Sequence, residues 1–125
     1  MGVVFDIDAL VGKNIDQIRQ LIGNPQDEYF DESTETSMET GSNLANSYSS
    51  ADYSHDYFML IRFNRKTRKV SSFDLLNYNT FKKSSLQSYM CAGNLASNDP
   101  RYALKPVYSF INKNHLIFVS VIPQV

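Results

Sequence analysis

The chain has 125 residues, 42% of them apolar and sixteen of them Phe or Tyr, enough to build one domain with a real core without metal or disulfide. Its one cysteine, Cys91, excludes an internal disulfide and any multi-cysteine metal site, and reads as a buried structural thiol. The net charge of −1 conceals a split: residues 1–56 carry eleven acids against Lys13 and Arg19, a net of −9, while residues 57–125 carry ten bases against Asp74 and Asp99, a net of +8. The simplest reading is that the two halves fold against each other and neutralise locally.

In chain order, "VVFDIDAL" (Val3–Leu10) reads as a weak strand with Asp6 and Asp8 facing solvent around buried Phe5 and Ile7. The same residues are similar to the first motif of haloacid-dehalogenase-type phosphatases, in which paired carboxylates attack phosphorus and handle the leaving group's proton. Leu10 stands where that family has Thr or Val, and no later acidic pair is placed to hold magnesium, so the phosphatase reading is set aside.

"LVGKNIDQIRQLIGNPQDE" (Leu10–Glu28) predicts a capped helix. Asn14 is a good N-cap, Gln17 completes a capping box, Asp16 suits the positive end of the helix dipole, and Ile15, Ile18, Leu21 and Ile22 form one apolar stripe. Gly23 and Pro25 end it. A phosphate loop needs glycines before the helix; here they are boundaries.

Residues 27–56 are polar and read as mostly irregular, with a short strand at Tyr29–Phe30 and a mobile loop over about 32–52. "DYFMLIRFNRKTRKVSSFDLL" is the clearest strand signal. Tyr57, Met59, Ile61 and Phe63 alternate onto one face and Phe58, Leu60 and Arg62 onto the other; "NRKTRK" turns, and Val70–Leu76 returns with a bulge near Ser71–Ser72. A second helix is predicted from an N-cap at Thr80, with Leu86, Tyr89 and Met90 on its apolar face, Lys82 and Lys83 in its first turn against the dipole, and Gly93 at its end. "ALKPVYSFI" and "HLIFVSVI" flank the turn "NKN"; Pro106 makes the first strand begin late or run on an edge, and the second, apolar at six of its seven positions from Leu116 to Ile122, reads as central and covered on both faces. Helix then hairpin occurs twice, each helix ending in Gly-Asn, a faint internal repeat.

The order predicts an α+β domain spanning 1–125: two layers, a mainly antiparallel sheet of four to five strands, and two helices packed on one face. No stretch is long and apolar enough for a membrane span. The start lacks the features of a signal peptide, which places the chain in the cytoplasm as it stands, or in the periplasm or envelope if a leader has been removed. His55 and His115 lack the spacing of a zinc site, no triad with an oxyanion hole can be assembled, and no cofactor is expected; the chain reads as a non-enzyme.

The strongest candidate binding feature is basic. Arg62, Arg65, Lys66, Arg68 and Lys69 fall on one hairpin and Lys82 and Lys83 follow, so seven of twelve bases occupy residues 62–83, with Tyr78 and Phe81 available to stack on bases. The plainer reading is a solvated hairpin tip that blunts edge-to-edge aggregation.

Gly12, Asn14, Gln17, Ile18, Ile22, Gly23 and Pro25 match the opening of small bacterial envelope domains of the SmpA/OmlA type, and "FNRKTRKV" (Phe63–Val70) is similar to the hairpin that follows in them. The resemblance covers Leu10–Phe30 and Tyr57–Leu76, under half of the chain. It implies a two-layer α/β fold, shared with β-lactamase-inhibiting proteins, and a non-catalytic role binding another protein. That is the expectation carried forward; the alternatives are an anion- or nucleic-acid-binding module centred on the basic hairpin, and a small-ligand carrier with a Tyr- and Phe-lined pocket between helix and sheet.

Overall fold

The computed structural model describes residues 3–30, 43–49, 57–77 and 85–124. The expected mobility of 32–42 and 50–52, the Thr80 cap, His55, Tyr78, Phe81, Lys82 and Lys83 lie outside them. Chain order is α1 (Ile7–Leu10), α2 (Ile15–Ile22), β1 (Asp27–Phe30), β2 (Asn43–Ser49), β3 (Tyr57–Asn64), β4 (Val70–Asn77), α3 (Leu86–Gly93), β5 (Tyr102–Tyr108) and β6 (Leu116–Pro123). The architecture is α+β. All strands pair antiparallel in one sheet of order β1-β2-β3-β4-β6-β5. The described residues thus contain six strands and three helices, where four to five strands and two helices were expected.

The additional helix is the opening segment. Val3–Leu10 is not a strand: Asp6 caps a single turn in which Ile7 and Leu10 are buried. Spacing of three between apolar residues suits a helical turn better than the alternation read from the sequence. The additional strand is β2, "NLANSYS", within the stretch read as irregular. Leu44, Asn46 and Tyr48 face the core between β1 and β3. Only two of those three side chains are hydrophobic, so period-two patterning was hard to see.

α2 has the predicted box: Asn14 Oδ1 accepts from Gln17 N at 2.8 Å, and Gln17 Oε1 accepts from Asn14 N at 2.9 Å. Gly23 ends it at φ 87°, a conformation that strains any side chain. Its apolar stripe is only half used. Ile15 and Ile18 are buried, but Leu21 is 59% exposed and Ile22 41%.

α3 begins later than expected, at Leu86, because Ser85 caps it by accepting from Ser88 N at 3.1 Å. That start keeps lysines out of the helix's positive end. Gly93 is its last residue rather than its stop, and Asn94 takes the left-handed position at φ 55°. A Cβ on Gly93 would lie 2.9 Å from Leu95 Cδ1 and 3.2 Å from Ile7 Cδ1, so hydrogen there lets α3 close on α1. The two Gly-Asn exits therefore differ in geometry, and the faint repeat has no structural counterpart there.

The β3–β4 hairpin matches its prediction. Tyr57, Met59, Ile61 and Phe63 are all buried, and Ser71 is an extra residue between Arg62↔Ser72 and Phe63↔Val70. β5 is an edge strand, as Pro106 requires. β6 is interior but not covered on both faces: Leu116, Val119 and Val121 are buried, while Phe118 and Ile122 on the opposite face remain half-exposed. The helices contribute Ile7, Leu10, Ile15, Ile18, Tyr89 and Ala92 to one cluster with Met59, Ile61, Phe63, Phe73, Leu75, Val119 and Val121, so they all cover the same face.

Tyr89 anchors α3 there, donating its hydroxyl to Ile117 O at 2.8 Å and meeting Tyr57 edge-to-face at 5.2 Å. Burial, reinforced by Tyr57, pushes its phenol up to about 12.

Asn14→Ala should lower the unfolding free energy by about 1 kcal/mol in urea titrations, since it removes the cap. A phenol whose pKa is raised by folding stabilises the fold fully below its unfolded pKa near 10, and that contribution disappears as pH rises through about 12. Unfolding free energy should accordingly fall by up to about 1.4 kcal/mol per pH unit in that window from this group, a slope that Tyr89→Phe removes.

Candidate functional site

With helices on one face, the pleat sends every other side chain of the strands to the opposite face. Register places Ser47, Leu60, Asp74, Ser120 and Lys105 in one line across β2, β3, β4, β6 and β5. Beside it runs an apolar line of Phe58, Leu76, Phe118 and Val107. A hollow of about 570 Å³ lies on this face, edged by Arg62, Lys69, Lys105, Val107, Phe118 and Ile122.

Its floor holds a charge. Asp74 is 3% exposed; it accepts from Arg62 Nε at 2.7 Å and from Ser120 Oγ at 2.6 Å. Arg62 sits diagonally across the regular part of the β3–β4 ladder from Asp74, within reach of its long side chain. Ser71 Oγ also donates to Arg62 O at 3.1 Å. The sequence reading took Arg62 as one of a row of equivalent surface bases; in the fold it is the partner of a buried carboxylate.

The remaining basic residues separate in the same way. Asn64 Oδ1 accepts from Lys66 N and Thr67 N, both at 2.9 Å, and Arg68 closes the turn in the left-handed region at φ 63°. Arg68 turns back onto α2: its Nε and a terminal nitrogen reach the two Asp16 oxygens at 3.1 and 2.9 Å, and its carbonyl accepts from Ile15 N at 3.0 Å. The guanidinium lies 5.4 Å from the Phe63 ring centre, and that of Arg19 lies 5.6 Å from it. Hydrogen bonding to Arg68 holds the Asp16 carboxyl below its usual range and raises the Arg68 pKa. Arg65, Lys66 and Lys69 are exposed. Of the seven bases singled out from the sequence, Arg62 and Arg68 are in ion pairs, and Lys82 and Lys83 fall outside the described residues. Lys69 also borders a second hollow of about 400 Å³ with Lys13, Asn14 and Gln17.

Sequence reasoning missed Arg19. It donates to Asn46 Oδ1 at 2.6 and 3.1 Å and to Glu28 Oε2 at 3.0 Å, joining α2 to β2 and β1. Asn46 is fully buried and its Nδ2 has no partner among the described residues, so Arg19 offsets only part of the desolvation.

The two carboxylates of "VVFDIDAL" also have structural partners. Asp6 accepts from Asn94 Nδ2 at 3.0 Å, and Asp8 pairs with Arg101, which is forked against Asp99. Those bonds to Asp99 and Asp8 raise the Arg101 pKa and hold Asp99 low. No group of three or more His, Cys, Asp or Glu among the described residues is placed to hold a metal ion. His115 immediately precedes β6 and is half-exposed, and Cys91 is half-buried in α3.

Comparison with known family models, curated proteins and solved structures returns no match to this chain.

Asp74→Ala should cost about 2–3 kcal/mol of unfolding free energy, because it removes the carboxylate that accepts from Arg62 Nε and Ser120 Oγ on the sheet floor, while Ser120→Ala should cost about 1. Chemical denaturation of both variants checks the order.

Proposed function

We propose that this chain is a non-catalytic binding domain that receives another protein on the sheet face that the described helices leave open. The observation carrying this reading is the make-up of that face: an apolar line, a hollow, and one ion pair sunk into the floor. Partly apolar surface surrounding an arginine already fixed by a carboxylate suits a protein interface, since the side chain is ordered before the partner arrives. The resemblance of the opening helix and hairpin to SmpA/OmlA-type envelope domains implies a role of the same class.

A second reading draws on Lys69 and Lys105, which edge the hollow together and favour an anionic ligand. Arg65 and Lys66 at the adjoining turn extend that positive field. The two readings differ in salt dependence. Binding through phosphates weakens steeply between about 50 and 200 mM salt, while an apolar interface changes little.

Immobilised protein should retain a bound protein from a cell extract across that salt range. Ile122→Glu, placed on the hollow's edge, should abolish the capture, and Arg65→Glu/Lys66→Glu should leave it intact. Arg68 is left out of the charge reversal because its loss would unpin α2. Capture that vanishes at 200 mM salt and with the charge reversal, but survives Ile122→Glu, would replace this reading with the anionic one.

A further inference from the structure

The connection between β5 and β6 carries two large apolar side chains standing clear of the described core: Phe110 is 100% exposed and Ile111 97%. They are not at the end of a loose loop. Ser109 Oγ accepts from Ile111 N and Asn112 N, both at 3.3 Å, Ser109 N donates to His115 O at 2.8 Å, and His115 N donates to Asn112 O at 2.9 Å. Asn114 N is taken by Asn112 Oδ1 at 3.1 Å. The turn thus satisfies much of its own polar backbone and directs Phe110 and Ile111 outward. Behind the tip is a second apolar tier: Tyr108, 47% exposed, closes β5, and Ile117 is the extra residue of a bulge between Val107↔Phe118 and Tyr108↔Leu116.

Within the connection itself the charge has one sign. Lys113 lies in the turn and Lys105 further down β5, and no acid occurs after Asp99. By register, this tip stands at the end of the sheet opposite the β3–β4 turn.

We propose that the β5–β6 turn binds an anionic lipid surface, with Phe110 and Ile111 entering the interfacial layer and Lys113 meeting the headgroups. Three features favour lipid over protein. Two protruding side chains are far too little area for a stable protein interface, which takes about 800 Å² from each partner. They suffice for reversible insertion when a cationic group adds a second attraction. Internal closure of the turn's amides is also what an interface poor in water demands of any backbone that enters it. Tyr108, one tier back, belongs at headgroup depth, where aromatic residues with a polar tip collect. This surface is distinct from the sheet hollow and does not rest on the binding function proposed above.

The chain contains no tryptophan, so Phe110→Trp installs a single reporter at the tip. Its emission should move to the blue on adding vesicles of phosphatidylcholine with about one-third phosphatidylglycerol. Phosphatidylcholine alone should bind about fivefold more weakly for each lysine that reaches the surface. The otherwise unaltered chain should sediment with the anionic vesicles, and Phe110→Ser/Ile111→Ser should reduce that by at least about tenfold. Both positions are exposed, so an unchanged thermal midpoint shows that the double variant still folds. Protein that stays in the supernatant, a double variant that sediments like the parent, equal binding to both compositions, or unchanged tryptophan emission overturns the proposal. A blue shift that needs no vesicles and rises with protein concentration overturns it too, by assigning the tip to a second copy of the chain.

Discussion

Three short helices, of four, eight and eight residues, form the whole helical layer among the described residues. At about 1.5 Å per residue the longer two reach roughly 12 Å each, whereas six strands spaced about 4.8 Å apart make a sheet roughly 24 Å across. That helical material serves one face. The core follows from this limit: Ile7, Ile15, Ile18 and Tyr89 converge on Met59, Ile61, Phe73 and Val119. Alternation along the strands then delivers Leu60, Asp74, Phe118 and Ser120 to the other side, where these helices do not reach.

The face that these three helices leave open shows how burial and charge are reconciled without helical cover from the described residues. A carboxylate nearly sealed from water is costly unless it is paired and hydrogen-bonded. Asp74 has a guanidinium on one oxygen and a hydroxyl on the other, from two different strands. Regular register between the Arg62↔Ser72 and Leu60↔Asp74 pairs keeps Arg62 beside that carboxylate.

The lengthwise separation of charge resolves partly through pairs that join the two halves, Asp16 with Arg68 and Asp8 with Arg101. Exposed pairs of this kind contribute little energy each. Their effect is positional: Arg68 brings α2 onto the β3–β4 turn beside Phe63, and Arg101 brings the start of β5 onto α1. Bases that looked interchangeable in "RFNRKTRK" acquire separate roles because strand pleat, turn and left-handed backbone aim them in different directions.

Where a local rule acts alone, the residues themselves were enough: the Asn14–Gln17 box, the exit at Gly23, the alternation of Tyr57 to Phe63, the bulge by Ser71, and the restriction of Pro106's strand to a late start or an edge. Each depends on neighbours within a few positions or on a missing backbone donor. β2 was illegible because Asn, Ala and Ser carry almost no strand signal of their own; hydrogen bonding to β1 and β3 makes them a strand. The start of α3 was misplaced because the apolar spacing does not mark which of several Ser and Thr residues caps it. The candidate site was legible only as a cluster of bases. That Arg62 faces Asp74 and Ser120, that Arg19 reaches Asn46, and that Phe110 and Ile111 stand clear of the core are contacts or exposures set by residues 12 to 46 positions apart, or by the path of the whole sheet. Side-chain type and local spacing determined the elements of this protein; which side chains became core, partner or surface was decided by strand order and by the face the helices could reach.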